Sequence, residues 1–188
     1  MCSNGCLLNL IAAASENMGI GINGRLPWTL KNEMAFFSKI TTNTKNNSKK
    51  NVVIMGRRTW ECIPKKYRPL AGRINIVLTR DIFHFRDLKE EAIVCESIPA
   101  ALEIISKPPL SEKVETIWVI GGNSVYKAAM ETPNFHRLYL THVKKYIECD
   151  TFFPDIPKNF IQIDTTDVPK GIHEENGIQY EYKVYEKS

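Results

Sequence analysis

The sequence predicts a single-domain α/β fold built on a mixed β-sheet, and three observations carry that reading. Short apolar, β-branched runs recur along the chain, helical patterns separate several of them, and the last run alternates apolar with polar residues. Continuous runs such as Ile117-Trp118-Val119-Ile120 suit strands covered on both faces, as in a parallel sheet. The alternating run Tyr180–Tyr185 follows turn-like Glu175-Asn176-Gly177 and suits an antiparallel edge.

The first strand is read at Leu8–Ala13. The apolar run around it has no Lys or Arg before it and is interrupted by Asn9, so it is a buried strand and neither a signal peptide nor a membrane span. Gly19–Gly24 precedes no helix of suitable periodicity and reads as a mobile loop. A helix is expected over Leu30–Ile40, followed by an exposed Thr-, Asn- and Lys-rich loop at Thr41–Asn51. Strands at Val52–Met55, Ile74–Leu78, Ile117–Ile120 and Arg137–Val143 then alternate with helices at Arg58–Ile63, Pro99–Ser106 and Ser124–Met130.

The bulk properties narrow the function. A chain of 188 residues supports one well-buried core, and 43% hydrophobic with 24% charged residues excludes wholesale disorder. The net charge of +4 suits an anionic ligand. Nucleic acid is not indicated, because the basic pairs Lys49-Lys50, Arg57-Arg58, Lys65-Lys66 and Lys144-Lys145 are scattered along the chain and form no stripe. Cys2, Cys6, Cys62, Cys95 and Cys149 are odd in number and lack the spacing of metal ligands, which suits reduced thiols in a cytosolic protein and no metal.

One carboxylate stands out. On a helical wheel of about 100° per residue, Leu30, Met34, Phe37 and Ile40 form an apolar stripe, and Glu33 lies inside it. A buried carboxylate is costly unless it is paired or does chemistry, and desolvation raises its pKa toward a usable acid. The wheel alone leaves open a Glu that reaches solvent from the helix end or pairs with a nearby Lys.

Three strand ends carry ligand-binding signals. Ile117–Ile120 runs into Gly121-Gly122 and a helix, an arrangement that lets bare backbone approach a ligand. Val52–Met55 leads to Gly56-Arg57-Arg58-Thr59, and Ile74–Leu78 leads to Thr79-Arg80. Either basic strand end alone reads first as a solvated turn. All three in one chain favour an anionic ligand beyond the carboxyl ends of the strands.

These residues resemble a known family. Gly19–Trp28, with Glu33 five residues after Trp28, is similar to the nicotinamide-covering loop and acid of dihydrofolate reductases. Val53–Trp60, Ile63-Pro64, Arg68–Asn75, Val119–Tyr126, Asp150–Pro154 and Tyr185-Glu186 follow in that family's order across essentially the whole chain, and the animal enzymes look most alike.

The resemblance implies a twisted, mostly parallel mixed sheet flanked by helices, with an adenosine-binding lobe at about residues 52–108. It implies NADPH-dependent reduction of 7,8-dihydrofolate to 5,6,7,8-tetrahydrofolate by a cytoplasmic monomer that also takes antifolate-type molecules. Glu33 and Thr141 would hold the pterin, with Trp28 ordering a water. Ile11, Ala12, Met34, Phe37, Ile63, Leu70, Ile120 and Tyr126 would line the substrate pocket, and Arg73 would pair with the glutamate carboxylate. The cofactor would meet Ala13, Ile20, Gly21, Gly24, Gly121, Gly122, Asn123, Ser124, Val125 and Thr151, its phosphates held near Arg57, Arg58, Thr59, Leu78, Thr79 and Arg80. The same resemblance implies a cis Gly121–Gly122 bond, tolerable where neither residue has a Cβ.

Two rival functions are a binding protein that keeps the pocket without turnover and a nicotinamide reductase for another planar ring. The Glu33, Trp28 and Arg73 set argues against the first, and Arg73 argues against any substrate lacking a carboxylate. The chain departs from family habit at Met34, where vertebrate members carry an aromatic residue, and at Arg25, Cys62 and Glu96.

Overall fold

The structure, a computed structural model, describes residues 6–83 and 91–188; Cys2 lies outside the described residues. In chain order the elements are β1 (Leu8–Ala14), β2 (Gly19–Gly21), α1 (Lys31–Thr42), β3 (Lys50–Gly56), α2 (Arg57–Cys62), a 3-10 turn at Lys65–Tyr67, β4 (Ile74–Leu78), β5 (Ile93–Cys95), α3 (Ile98–Ile105) and α4 (Leu110–Lys113). There follow β6 (Val114–Val119), α5 (Asn123–Glu131), β7 (Phe135–Val143), β8 (Thr151–Phe152), β9 (Phe160–Ile163), β10 (Ile172–Glu175) and β11 (Ile178–Lys187).

Nine strands form one mixed sheet: eight run in the order β10-β11-β7-β1-β6-β3-β4-β5, and β9 pairs with β11 off this path. The block from β7 to β5 is parallel throughout, while β11 is antiparallel to β7, β9 and β10. This matches the expected mostly parallel mixed sheet with an antiparallel C-terminal strand.

Alternation along the strands divides the core into two layers. Leu8, Leu10, Ile54, Ile76, Val119 and Leu138 face α3 and α5, packing with Ala101, Ile105, Ala129 and Met130. Ile11, Val53, Met55, Val77 and Trp118 face the opposite way, with Trp60 of α2 and Phe36, Phe37 and Ile40 of α1. Leu10, Ile54 and Val119 have no exposed surface, so cutting back any one to Ala would cost roughly 2–5 kcal/mol. Connections leave β1 through α1 and β6 through α5 on opposite faces of the sheet. The crevice they open lies beyond the carboxyl ends of these two neighbouring strands.

The structure corrects two expectations. Gly19–Gly24 is not a free loop: Gly19 and Gly21 pair with Phe152 and Thr151, and Ile22 and Arg25 close a turn over Asn23 and Gly24, both at positive φ. Its pairing partner lies about 130 residues away, beyond the reach of local periodicity. The segment Thr41–Asn51 is exposed at Asn43, at residues 45–48 and at Lys50, and the correction is confined to its ends: Thr41 and Asn51 are buried at the end of α1 and the start of β3. Asn51 Nδ2 donates to the carbonyls of Thr41 and Asn43, each at 3.0 Å, and closes the loop. The turn before β11 forms as expected, with Asn176 and Gly177 at φ 53 and 73.

Candidate active site

Glu33 sits in the first turn of α1 with 5% of its surface exposed, although Lys31 and Asn32 beside it and Met34 after it are exposed. The open choice left by the helical wheel resolves to burial, and the partner is Thr141, not a lysine. Thr141 Oγ1 donates to Glu33 Oε1 at 3.0 Å from β7, the strand beside β1. Burial pushes the Glu33 carboxyl above its ordinary range, and the Thr141 hydrogen bond offsets only part of that rise. Trp28, packed with Leu30, Val143 and Tyr180, is buried, and its Nε1 has no hydrogen-bond partner among the described residues.

Several elements supply the other residues of the expected pocket. Ile11 of β1, half-buried Phe37 of α1, and Ile63 and Leu70 on the stretch after α2 pack in one layer, whereas Ala12 faces the opposite layer with Leu8 and Leu10. Met34 is 46% exposed, so its apolar side chain is not part of a sealed core. Tyr126 of α5 is buried and donates its hydroxyl to the Ile11 carbonyl at 2.7 Å, tying the helix to the end of β1. Ile120, just past β6, packs with the layer that contains Ile11 and Trp118.

Arg73 stands before β4 with its guanidinium partly engaged. Its Nε donates to the Ala71 carbonyl at 3.0 Å and its Nη1 to Thr41 Oγ1 at 3.0 Å, while Thr41 Oγ1 donates to the Phe37 carbonyl at 2.7 Å. Partial burial makes Arg73 slightly easier to deprotonate. Asn75 braces the same loop: its Oδ1 accepts from Leu70 N, and its Nδ2 donates to the carbonyls of Leu70 and Arg73. Sequence reasoning missed the supporting roles of Thr41 and Asn75. No sequence signal marks them; only the structure shows both as polar residues with almost no exposed surface.

A second group of residues gathers where β3 and β6 end. The Gly121–Gly122 peptide is cis, as expected, and Gly121 has φ 126. Gly56 N donates to the Gly121 carbonyl at 2.8 Å, and a Cβ on Gly56 would meet Val125 Cγ2 at 3.2 Å. Gly121 demands glycine by its backbone, since φ 126 is a conformation that residues with a Cβ rarely adopt. The N-terminus of α5 has no side-chain cap, and Asn123 and Ser124 are exposed there. Uncapped amides over a glycine cradle fit the phosphates of a dinucleotide, and exposed Arg57, Arg58 and Arg80 with buried Thr79 stand at the neighbouring strand ends. Thr151 is exposed on β8, opposite Gly21, and Asn123 Nδ2 donates to the Phe152 carbonyl, joining α5 to the β2–β8 arm. Ala13, Ile20 and Leu78 are half-buried between these groups, and Gly24 is exposed at the tip of the arm.

Residues 7–187 match the family model described as Dihydrofolate reductase. The chain belongs to the dihydrofolate reductase family. A dihydrofolate reductase from Heliothis virescens is 48% identical over 181 residues, covering 96% of this chain and 97% of that protein. One from Sus scrofa is 45% identical over 185 residues, covering 96% and 98%. Among solved structures, the Schistosoma mansoni dihydrofolate reductase superimposes with a TM-score of 0.84 at 36% identity, covering 97% of this chain and 99% of that one. Insect and mammalian reductases thus resemble this chain to a similar degree, and the family fold accounts for the order of strands around the cleft. Among the described residues no helix of this reductase-family chain is long and apolar enough to cross a membrane.

Proposed function

We propose that this chain catalyses the NADPH-dependent reduction of 7,8-dihydrofolate to 5,6,7,8-tetrahydrofolate, feeding one-carbon metabolism and thymidylate synthesis. The observation that carries the reading is a buried carboxyl, Glu33, hydrogen-bonded to the buried Thr141. Reduction of the pterin C=N bond places a hydride on carbon and requires a proton on nitrogen. NADPH, when bound, supplies the hydride.

Glu33 accepts hydrogen bonds from the pterin's amino and ring N–H groups, fixing its orientation and favouring its protonated form. Thr141 holds the carboxyl in place, and Trp28 donates its N–H to a water or to the pterin. Because burial already raises the Glu33 pKa, its carboxyl takes up a proton more readily than an exposed glutamate. Ile11, Ala12, Met34, Phe37, Ile63, Leu70, Ile120 and Tyr126 exclude water from the ring. Arg73, pre-oriented by Thr41 and Ala71, offers its remaining N–H groups to the substrate's glutamate carboxylate.

Gly121, Gly122, Asn123, Ser124 and Val125 hold the cofactor's pyrophosphate, while Ala13, Ile20, Gly21, Gly24 and Thr151 cover its nicotinamide half. Arg57, Arg58, Thr59, Leu78, Thr79 and Arg80 take the adenosine half and its 2′-phosphate, within a lobe spanning about residues 52–108. The protein acts in the cytoplasm as a monomer, and antifolate-type molecules compete at Glu33. A purified sample should oxidise NADPH only when dihydrofolate is added, and a sample that binds both without oxidising NADPH would sink the proposal in favour of a non-catalytic binding protein.

A further inference from the structure

The helix that carries Glu33 does not cap itself. Its N-cap residue is Leu30, which has no side-chain hydrogen bond to offer and is buried in the core. The first amides of α1 find their acceptor 144 residues away: Lys31 N donates to Glu175 Oε2 at 2.6 Å and Asn32 N to Glu175 Oε1 at 2.9 Å. Each oxygen of one carboxylate takes one amide, which fixes the turn in direction as well as distance.

Glu175 is the last residue of β10, and the turn that follows it reinforces the contact. Asn176 Nδ2 donates to the Thr29 carbonyl at 3.2 Å, gripping the chain just before α1. Across the hairpin, Tyr180 is buried with Trp28 and Leu30, and the Tyr182 ring lies 4.3 Å from that of Phe36. In the β11–β7 ladder, Tyr182 stands opposite Thr141. The backbone that presents Glu33 and the hydroxyl that holds its carboxyl are therefore braced from one continuous sheet.

We infer that Glu175 is a positioning residue for Glu33, capping α1 from the β10–β11 hairpin so that the carboxyl meets the pterin. This rests on the catalytic reading of Glu33 above. A carboxylate whose only role was to stabilise the helix would affect the amount of folded protein. One that aims Glu33 affects how the folded protein handles dihydrofolate.

The test compares Glu175→Ala, Glu175→Gln, Glu33→Gln and the double variant Glu33→Gln/Glu175→Ala in the full chain, with active sites counted by titration. Glu175→Ala should raise KM for dihydrofolate on the order of tenfold, leave KM for NADPH within about twofold, and speed hydrogen exchange at the Lys31 and Asn32 amides. Glu175→Gln keeps one acceptor oxygen and should recover part of each effect. In the double variant the Glu175 effect should be much smaller than in the parent, because the aimed group is gone. An unchanged KM for dihydrofolate, a parallel rise in both KM values, or a full additive effect on Glu33→Gln would each overturn the inference. Wild-type turnover in Glu33→Gln would overturn the catalytic reading itself, and is seen in a different protein.

Discussion

Thr141 donates its hydroxyl to Glu33 across 3.0 Å in a place where both residues are almost wholly buried. One neutral hydrogen bond does not compensate a carboxylate for the water it has lost, which is why the Glu33 pKa rises despite its partner. Glu33→Gln keeps the shape and removes the ionisable group. Turnover at neutral pH should fall by about a hundredfold or more, measured as NADPH oxidation with saturating dihydrofolate.

The same residue sets a stability trend with pH. Its folded pKa lies above the ordinary 4.5, so folding favours the protonated form. The Glu33 contribution to stability is fully present below the unfolded pKa and is lost as pH rises through the folded value. Glu33→Gln should therefore melt at a higher temperature than the parent at pH 7–8, and the gap should close toward pH 4. A gap that is constant across this range, in paired thermal melts, would contradict the assignment of the shift to Glu33.

Arg73→Lys replaces a planar fork by a single ammonium that cannot reach Ala71, Thr41 and a carboxylate together. Affinity for dihydrofolate should drop roughly ten- to a hundredfold, the equivalent of one charge-assisted hydrogen bond. A pterin without the glutamate tail should bind both proteins equally well. Equal losses for both ligands in calorimetric titrations would mean that Arg73 acts by shaping the pocket and not by pairing with the tail.

Arg80 is exposed beyond β4, next to the buried Thr79. Arg80→Ala should narrow the preference for NADPH over NADH by about tenfold or more and leave dihydrofolate KM nearly unaltered. Indifference of the parent protein to the 2′-phosphate, seen as equal kcat/KM for the two cofactors, would remove Arg80 from that role.

What was legible in the sequence follows the range of the forces involved. The buried parallel strands declare themselves because both faces are apolar, and the α1 stripe exposes Glu33 as a misfit. Strands β5, β9 and β10 escaped because they are three or four residues long, and in β9 and β10 polar or charged residues interrupt the run, so they exist as strands by pairing with distant partners. In the site, residue types that carry chemistry could be read directly. The residues that aim them could not: Thr41 and Glu175 act through hydrogen bonds to segments that only the fold brings near, and Asn75 through a local loop geometry that leaves no periodicity.

Gly19 shows how closely the arm over the cleft is fitted. A Cβ there would lie 2.3 Å from Cys149 Sγ and 2.6 Å from Cys149 Cβ, the latter anchored to backbone. Gly19→Ala should destabilise the protein by roughly 1–3 kcal/mol through overpacking. For a chain of this size that corresponds to a fall in Tm of several degrees, at about 2–4 °C per kcal/mol. Adding Cys149→Gly should restore only part of the loss, because Ser15 Oγ would still lie 2.9 Å from the new Cβ, and no rescue at all in differential scanning fluorimetry would point to some other cause.

The two short strands that share the outer side of β11 have a consequence for behaviour at high concentration. β10 occupies Ile178–Glu181 and β9 occupies Val184–Lys187, so only Tyr182 and Lys183 lie between the two ladders. A ten-residue strand left open along its whole length would be a template onto which a foreign strand could dock by backbone hydrogen bonds alone. Divided between two four-residue strands, the border offers an incoming chain little length, and its exposed isoleucines, Ile161 on β9 and Ile172 on β10, stand on separate strands and form no continuous row. The sheet thus ends in pieces too small to recruit neighbours, which protects a largely parallel sheet during the slow assembly its long-range pairings require.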